Sequence, residues 1–160
     1  MKIEGRTFVV SGGASGLGRA TITNLISAGA NISILDISQN AGTSLVTSLP
    51  PARSKFFQVD VSDTDSIAAA VSGTLTWVKE TGKEIGGVVA AAGVSTPAKI
   101  IDRHGEMFGM GGFDFVMGVN VRGSVDLVRQ LLPHRVGVEP VGEDGERGVV
   151  VLVSSSAAWV

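Results

Sequence analysis

The chain of 160 residues contains neither cysteine nor tyrosine. Without cysteine there is no disulfide, no thiolate nucleophile and no cysteine-ligated metal, and a cytoplasmic location is the default expectation. Without tyrosine, no phenolic hydroxyl is available to donate or accept a proton in a reaction. The chain therefore has neither a thiolate nor a phenolic hydroxyl to use in a reaction.

Strong charge of either sign and long apolar runs are also missing. The formal net charge is −2 and there is no basic stripe, which argues against nucleic acid or an anionic membrane as the main partner. The apolar stretches at 85–94 and 149–153 are too short to cross a bilayer. The N-terminal residues show neither a signal peptide nor a transit segment. We expect a small-molecule partner, no nucleic acid and no membrane.

The two histidines and the methionines give no clear site. His104 and His134 lack the spacing of metal ligands, so we expect surface positions and no metal. Met107, Met110 and Met117 could line an apolar pocket, but ordinary gap filling explains them equally well.

Glycine is abundant, and short strands alternate with helical patterns. The 22 glycines are about twice the usual share and show no triplet period, so glycine-rich loops are expected. Five strands are predicted, at Thr7–Val10, Asn31–Leu35, Ser54–Val59, Ile85–Ala91 and Val149–Val153. Helices are predicted at Gly16–Ala28, Gln39–Ser48, Ser62 (as N-cap) to Lys79 and Phe113–Leu132. This alternation predicts one α/β domain, residues 1–160, with a parallel sheet covered on both faces.

A glycine-rich loop joins the first strand to the first helix. Residues 11–18 read Ser-Gly-Gly-Ala-Ser-Gly-Leu-Gly, and such small residues let a pyrophosphate approach the N–H groups of a helix N-terminus. A tight turn without a ligand is the alternative. Asp36 ends the second strand, where a ribose-binding carboxylate belongs. It would repel a 2′-phosphate, and neither the loop nor position 37 offers a cation, so we predict NAD rather than NADP.

Together with that loop, three further motifs resemble the short-chain dehydrogenase/reductase family over the whole chain. They are Asp60-Val61 after the third strand, Asn120-Val121-Arg122-Gly123 as an N-x-x-G segment, and the serine motif at 153–157. The resemblance implies a Rossmann-type doubly wound parallel sheet, incomplete, with five strands in the order 3-2-1-4-5. The long loop before Phe113 and the acidic insertion at 139–146 are most similar to the type-2 3-hydroxyacyl-CoA dehydrogenases. These oxidise 3-hydroxyacyl-CoA thioesters, and often hydroxysteroids, with NAD, and form homotetramers.

The resemblance also implies roles for individual residues. Ser15 and Leu17 would contact the pyrophosphate and nicotinamide side, Asp36 the ribose, and Asp60 with Val61 the adenine. Asn120 would be a structural and proton-relay residue, and Ser155 would orient the substrate; these two are the predicted catalytic residues. The predicted cofactor-binding residues are Gly12, Ser15, Gly16, Leu17, Gly18, Asp36, Asp60, Val61, Ala91 and Gly93.

Two departures from the family pattern stand out. Ala90 replaces an asparagine that braces the central sheet, which predicts looser packing. The family's Y-x-x-x-K segment, whose Tyr and Lys exchange the substrate's proton, is absent, and Ser155 does not readily replace it. We therefore expect an inactive fragment of an NAD-dependent dehydrogenase of secondary alcohols or ketones, binding poorly and exposing its fifth strand. The alternatives are a non-catalytic NAD-binding module or pseudoenzyme, and a truncation that does not fold stably. Related enzymes work in several compartments, so mitochondria and peroxisomes stay open.

Overall fold

A computed structural model describes residues 2–135, 143 and 145–155. The strands are β1 (Thr7–Ser11), β2 (Asn31–Asp36), β3 (Ser54–Gln58), β4 (Ile85–Ala90) and β5 (Val149–Leu152). The helices are α1 (Gly16–Ser27), α2 (Gln39–Ser48), α3 (Thr64–Thr81), α4 (Met110–Met117) and α5 (Ser124–Leu131). A π-helical segment (Gly118–Gly123) joins α4 to α5, and a 3₁₀ turn (Leu132–His134) follows α5.

The five strands form one parallel sheet in the order β3-β2-β1-β4-β5, which confirms the predicted topology. In the register, Ser11 at the end of β1 lies beside Leu35 of β2 and Ala90 of β4. The carboxyl ends of β2, β1 and β4 therefore meet at one edge of the sheet, where ligands of open α/β sheets bind.

Alternate residues of the central strands pack on opposite faces of the sheet. On one face, Val10 and Ile34 join a cluster with helices α1 and α2, which also contains Ile22, Leu25 and Leu45. On the other face, Val9 and Leu35 join a cluster with helices α3 and α5, which also contains Ile67, Val71 and Leu127. Each such side chain contributes about 1.5–3 kcal/mol by burial, so the sheet holds the site on a rigid base.

The first turn of α1 and the start of α3 differ from the sequence prediction. The helical period predicts Leu17 and Ala20 on the inner side of α1, but both are exposed, Leu17 by 68%. The reason is that the buried stripe of α1 runs through Gly18, Ile22, Leu25 and Ile26. At about 100° per residue, Leu17 and Ala20 lie to the side of this stripe and opposite it. The predicted N-cap Ser62 is wrong as well: Asp63 caps α3, its carboxylate accepting from the N–H of Asp65 at 3.0 Å.

The predicted helix Phe113–Leu132 is interrupted. It begins earlier, at Met110, and changes to π-helical geometry between Gly118 and Gly123. Met107, Met110 and Met117 are exposed rather than packed in the core. Most of the acidic insertion, and residues 156–157 of the serine motif, lie outside the described residues.

Candidate functional site

Two glycines of the loop after β1 allow chain segments to approach each other closely. Gly12 has φ +63°, and a Cβ there would come within 2.8 Å of the carbonyl oxygen of Ala91. A Cβ at Gly18 would overlap the carbonyl oxygen of Gly12. Only glycine fits either position, and the result is an open cradle at the N-terminus of α1.

The Asp36 carboxylate links this loop to the end of β2. Its Oδ2 accepts from the N–H of Ala14 at 2.9 Å, and its Oδ1 accepts from the N–H of Ser38 at 2.9 Å. A carboxylate oxygen has two lone pairs, so each oxygen can accept one further hydrogen bond. Asp36 is thus held in place as an acceptor for hydroxyl groups.

The loop and Asp36 border a cavity of about 470 Å³, a volume typical of ligand sites. We call it the first cavity. All ten predicted cofactor-binding residues line it. The residues that line it and were not predicted are Leu35, Ile37, Val59, Ser62, Ala92, Val94, Phe115 and Val119. Several of these neighbour predicted residues, but Phe115 and Val119 come from the α4 region, and no sequence motif marks them.

The turn after β3 forms the far side of the first cavity. Asp60 Oδ1 accepts from the backbone N–H and the hydroxyl of Ser62, at 2.8 and 2.7 Å. Arg122 donates to the carbonyl of Ser62 at 3.0 Å. A Cβ at Gly123 would lie 2.5 Å from the carbonyl oxygen of Val61. The π-helical segment is therefore packed directly on this turn.

Ser11 braces the segment that follows β4, where Ala90 replaces the family's asparagine. The N–H of Ala91 donates to the Ser11 carbonyl at 3.2 Å, and the N–H of Ala92 donates to the Ser11 hydroxyl at 3.3 Å. Ala90 itself is buried. Ser11 thus provides bracing hydrogen bonds at the position where the sequence predicts looser packing.

Asn120 and Ser155 line a second cavity of about 530 Å³, which shares residues 91–94 with the first. The Asn120 amide makes two bonds to Val94: Oδ1 accepts from its N–H at 2.8 Å, and Nδ2 donates to its carbonyl at 2.9 Å. Asn120 therefore holds the wall between the cavities. The structure places both predicted catalytic residues beside the predicted cofactor cavity.

The described part of the chain contains neither a metal-binding cluster nor a membrane-spanning helix. None of its histidines, aspartates and glutamates group in a way that could hold a metal ion. None of its helices combines the length and the apolar character needed to cross a bilayer.

Comparison with known proteins assigns the chain to a family. The family described as short chain dehydrogenase matches residues 6–160. The chain belongs to the short-chain dehydrogenase/reductase family. One relative, the 3-hydroxyacyl-CoA dehydrogenase type-2 of Drosophila melanogaster, is 30% identical over 98% of this chain. The Arabidopsis thaliana short-chain dehydrogenase reductase 3a is 28% identical over all of it.

A solved structure agrees with this short-chain dehydrogenase assignment. The 3-hydroxyacyl-CoA dehydrogenase type-2 from Mycobacterium avium superposes with a TM-score of 0.86, at 30% identity, over 99% of this chain. This chain covers 61% of that protein, 60% of the Drosophila relative and 57% of the Arabidopsis relative. The chain thus spans about three fifths of the length of these relatives.

Proposed function

We propose that the first cavity binds NAD, and that the chain is the cofactor-binding part of an oxidoreductase acting on a secondary alcohol or ketone. One observation carries the proposal: the glycine loop, Asp36 and Asp60 border a single cavity at the carboxyl edge of the sheet. This is the position at which doubly wound sheets bind dinucleotides.

The described residues fit NAD in both shape and charge. The missing Cβ atoms at Gly12 and Gly18 leave room for a pyrophosphate above the N-terminus of α1. Asp36 can accept from both ribose hydroxyls and would repel a 2′-phosphate. No lysine or arginine is among the residues that line the cavity, so nothing there would neutralise the additional phosphate of NADP.

The second cavity is the proposed substrate site. NAD bound in the first cavity would supply the hydride acceptor, and the Ser155 hydroxyl would orient the alcohol or carbonyl. Because similarity extends to the type-2 3-hydroxyacyl-CoA dehydrogenases of Drosophila melanogaster and Mycobacterium avium, we propose 3-hydroxyacyl-CoA thioesters or hydroxysteroids as substrates. The Asn120 side chain keeps the wall between the cavities in place. We also propose that it takes part in the proton relay.

The 160 residues alone are proposed to bind NAD weakly and to turn over negligibly. Alcohol oxidation requires a base, and these residues contain no tyrosine. The lack of tyrosine also favours a second candidate function, a non-catalytic module that binds NAD. We further propose a cytoplasmic location, and homotetramers for the complete enzyme.

Calorimetry with NAD and with NADP tests the cofactor proposal. We expect binding heat with NAD, weaker binding of NADP, and a loss of about tenfold or more in NAD affinity for Asp36→Ala, because a charged acceptor is removed. Asp114→Ala, an exposed aspartate of α4 outside the first cavity, is the matched control. Folded protein that gives no heat with NAD, or that prefers NADP, would contradict the proposal.

Catalysis is tested separately by following NADH formation from a short 3-hydroxyacyl-CoA and from a hydroxysteroid. We expect no turnover above background from the 160 residues. Turnover above background would show that the chain carries its own proton acceptor, and it would overturn both the inactivity and the module candidate. Loss of that turnover in Ser155→Ala would assign the reaction to the second cavity.

A further inference from the structure

Phe115 contributes an aromatic side chain to the lining of the first cavity. We propose that its ring stacks on the adenine of the bound cofactor and sets the affinity for the adenosine half. This inference rests on the proposed NAD site. If the pyrophosphate lies on the glycine loop and the ribose at Asp36, the adenine extends past Asp36 toward the turn at 60–62.

Phe115 belongs to a row of residues that faces this turn. Phe115, Val119 and Gly123 are spaced by four residues, so they lie on the same side of the helix. Gly123 packs on the Val61 carbonyl. Val119 and Phe115 line the first cavity together with Val61. Because the row continues from Gly123 through Val119, we expect the Phe115 ring at the end of the cavity that the adenine would occupy.

The exposure of Phe115 supports a ligand rather than a packing role. The residue is 51% exposed, and α4 contributes no buried side chain. A half-exposed ring at the border of a cavity gains little from the core, but it presents a flat apolar face to a planar base. Ile37 also lines the cavity and is exposed. It adds a second apolar contact beside Asp36.

Phe113 provides a matched control on the same helix. It is also half-exposed, at 46%, but it does not line the first cavity. Phe115→Leu keeps an apolar side chain and removes the ring, and Phe113→Leu makes the same chemical change outside the site. Both changes are at exposed positions, so both variants should fold, which circular dichroism can verify.

The experiment uses AMP, nicotinamide mononucleotide and NAD with the 160-residue chain. In the unaltered chain we expect the adenine H2 and H8 proton resonances of AMP to move upfield, the signature of a ring stacked on the base. Phe115→Leu should abolish this movement and weaken AMP and NAD binding about fivefold or more, as expected for a lost base–aromatic stack. Nicotinamide mononucleotide should bind both proteins equally, and Phe113→Leu should behave like the unaltered chain.

The outcomes separate this inference from the proposed function. If NAD binds and Phe115→Leu leaves the AMP shifts and affinity unchanged, the stacking role is overturned and the NAD site remains. If Phe115→Leu weakens nicotinamide mononucleotide as much as AMP, the ring contacts the other half of the cofactor, and the inference is again wrong. If neither NAD nor AMP binds the folded chain, the proposed function and this inference both fail.

Discussion

Individual glycines determine whether the first cavity exists as an open cradle. At Gly12, the left-handed backbone and the proximity of Ala91 coincide. An L-residue there would have to adopt an unfavourable φ and also displace the segment after β4. The loop therefore depends on the missing side chain at Gly12, whereas a side chain at Gly111 or Gly118 would meet nothing within 4 Å.

Gly12→Ala should lower both stability and cofactor affinity. We expect a loss of about 1–3 kcal/mol in the free energy of unfolding, because a strained backbone conformation is imposed on alanine. Urea denaturation measures this loss, and calorimetry with NAD measures the affinity. Gly111→Ala is the control, since its Cβ would meet nothing within 4 Å on helix α4. Equal stability of the two variants would contradict the close-approach argument.

At the scale of elements, the π-helical segment between α4 and α5 determines the shape of the wall between the cavities. Its wider turn contains Asn120 and Gly123. Such π-helical turns are frequent at functional sites. Here Gly123 meets the turn after β3, and Asn120 meets the segment after β4. One irregular helical turn therefore contacts both sides of the site.

Asn120→Ala should destabilise the wall at Val94. Two hydrogen bonds are lost, and the partly buried N–H and carbonyl of Val94 lose their side-chain partner, so we expect a cost of about 1–3 kcal/mol. Asn120→Asp is an informative second variant, because a carboxylate can accept from the N–H but cannot donate to the carbonyl. Hydrogen exchange at the Val94 amide should therefore be faster in the alanine variant than in the aspartate variant. Similar exchange in both would contradict this assignment.

Helix α5 contains a carboxylate that links stability to pH. Burial alone would raise the pKa of Asp126, but hydrogen bonds from Arg129, Thr64 and Gln130, together with the charge of Arg129, outweigh it and hold this pKa below its ordinary value. Arg129 donates to Asp126 Oδ1 from Nε at 2.9 Å and from Nη2 at 2.5 Å. A folded-state pKa below the unfolded value contributes stability above the unfolded value, near pH 4, and this contribution is lost as pH falls through the folded pKa.

Asp126→Asn should therefore be less stable than the unaltered chain at neutral pH, and the difference should shrink below about pH 4. Urea denaturation at a series of pH values measures it. Asp114→Asn, on the exposed side of α4, should leave the profile nearly unchanged. A stability difference for Asp126→Asn that stays constant from pH 7 to pH 3 would contradict the assignment.

At the scale of the molecule, two buried arginines join distant segments at the amino edge of the sheet. Arg6 and Arg135 both donate to the carbonyl of Arg147, just before β5. Arg6 also pairs with Glu146 at 2.8 Å. Because their charged groups are satisfied by carbonyls and carboxylates, these arginines can be buried. They tie β5 to β1 and to the end of α5.

The outer edge of β5 should make the 160-residue chain prone to self-association. No other strand of the described residues pairs with this edge, and residues 150–153 are exposed, Leu152 by 59%. An uncovered apolar edge strand is a template for intermolecular pairing. Leu152→Lys should reduce concentration-dependent light scattering. Ile100→Lys adds the same charge at an exposed residue outside the strand, and an equal effect there would show that net charge, and not the strand edge, controls association.

Local patterns predicted the helices and strands well, but not their exact contacts. The short β-branched run Thr7–Val10 followed by the glycine loop indicated a βα unit, and the structure contains it. The helical period also predicted Leu17 on the inner side, which was wrong, because the period alone does not determine which stripe of α1 faces the sheet. The cap of α3 moved by one residue from Ser62 to Asp63, since both side chains are able to cap.

The sequence by itself determined the strand and helix order, the open backbone of the glycine loop and the acidic end of β2. These features follow from consecutive residues, whose hydrogen bonding and hydrophobic period are local. Only the tertiary structure decided that Phe115 and Val119 line the cavity with Asp36, and that Asn120 holds Val94. Those contacts join segments far apart in the chain, and they depend on how the α4–α5 region packs on the sheet, which no local pattern encodes.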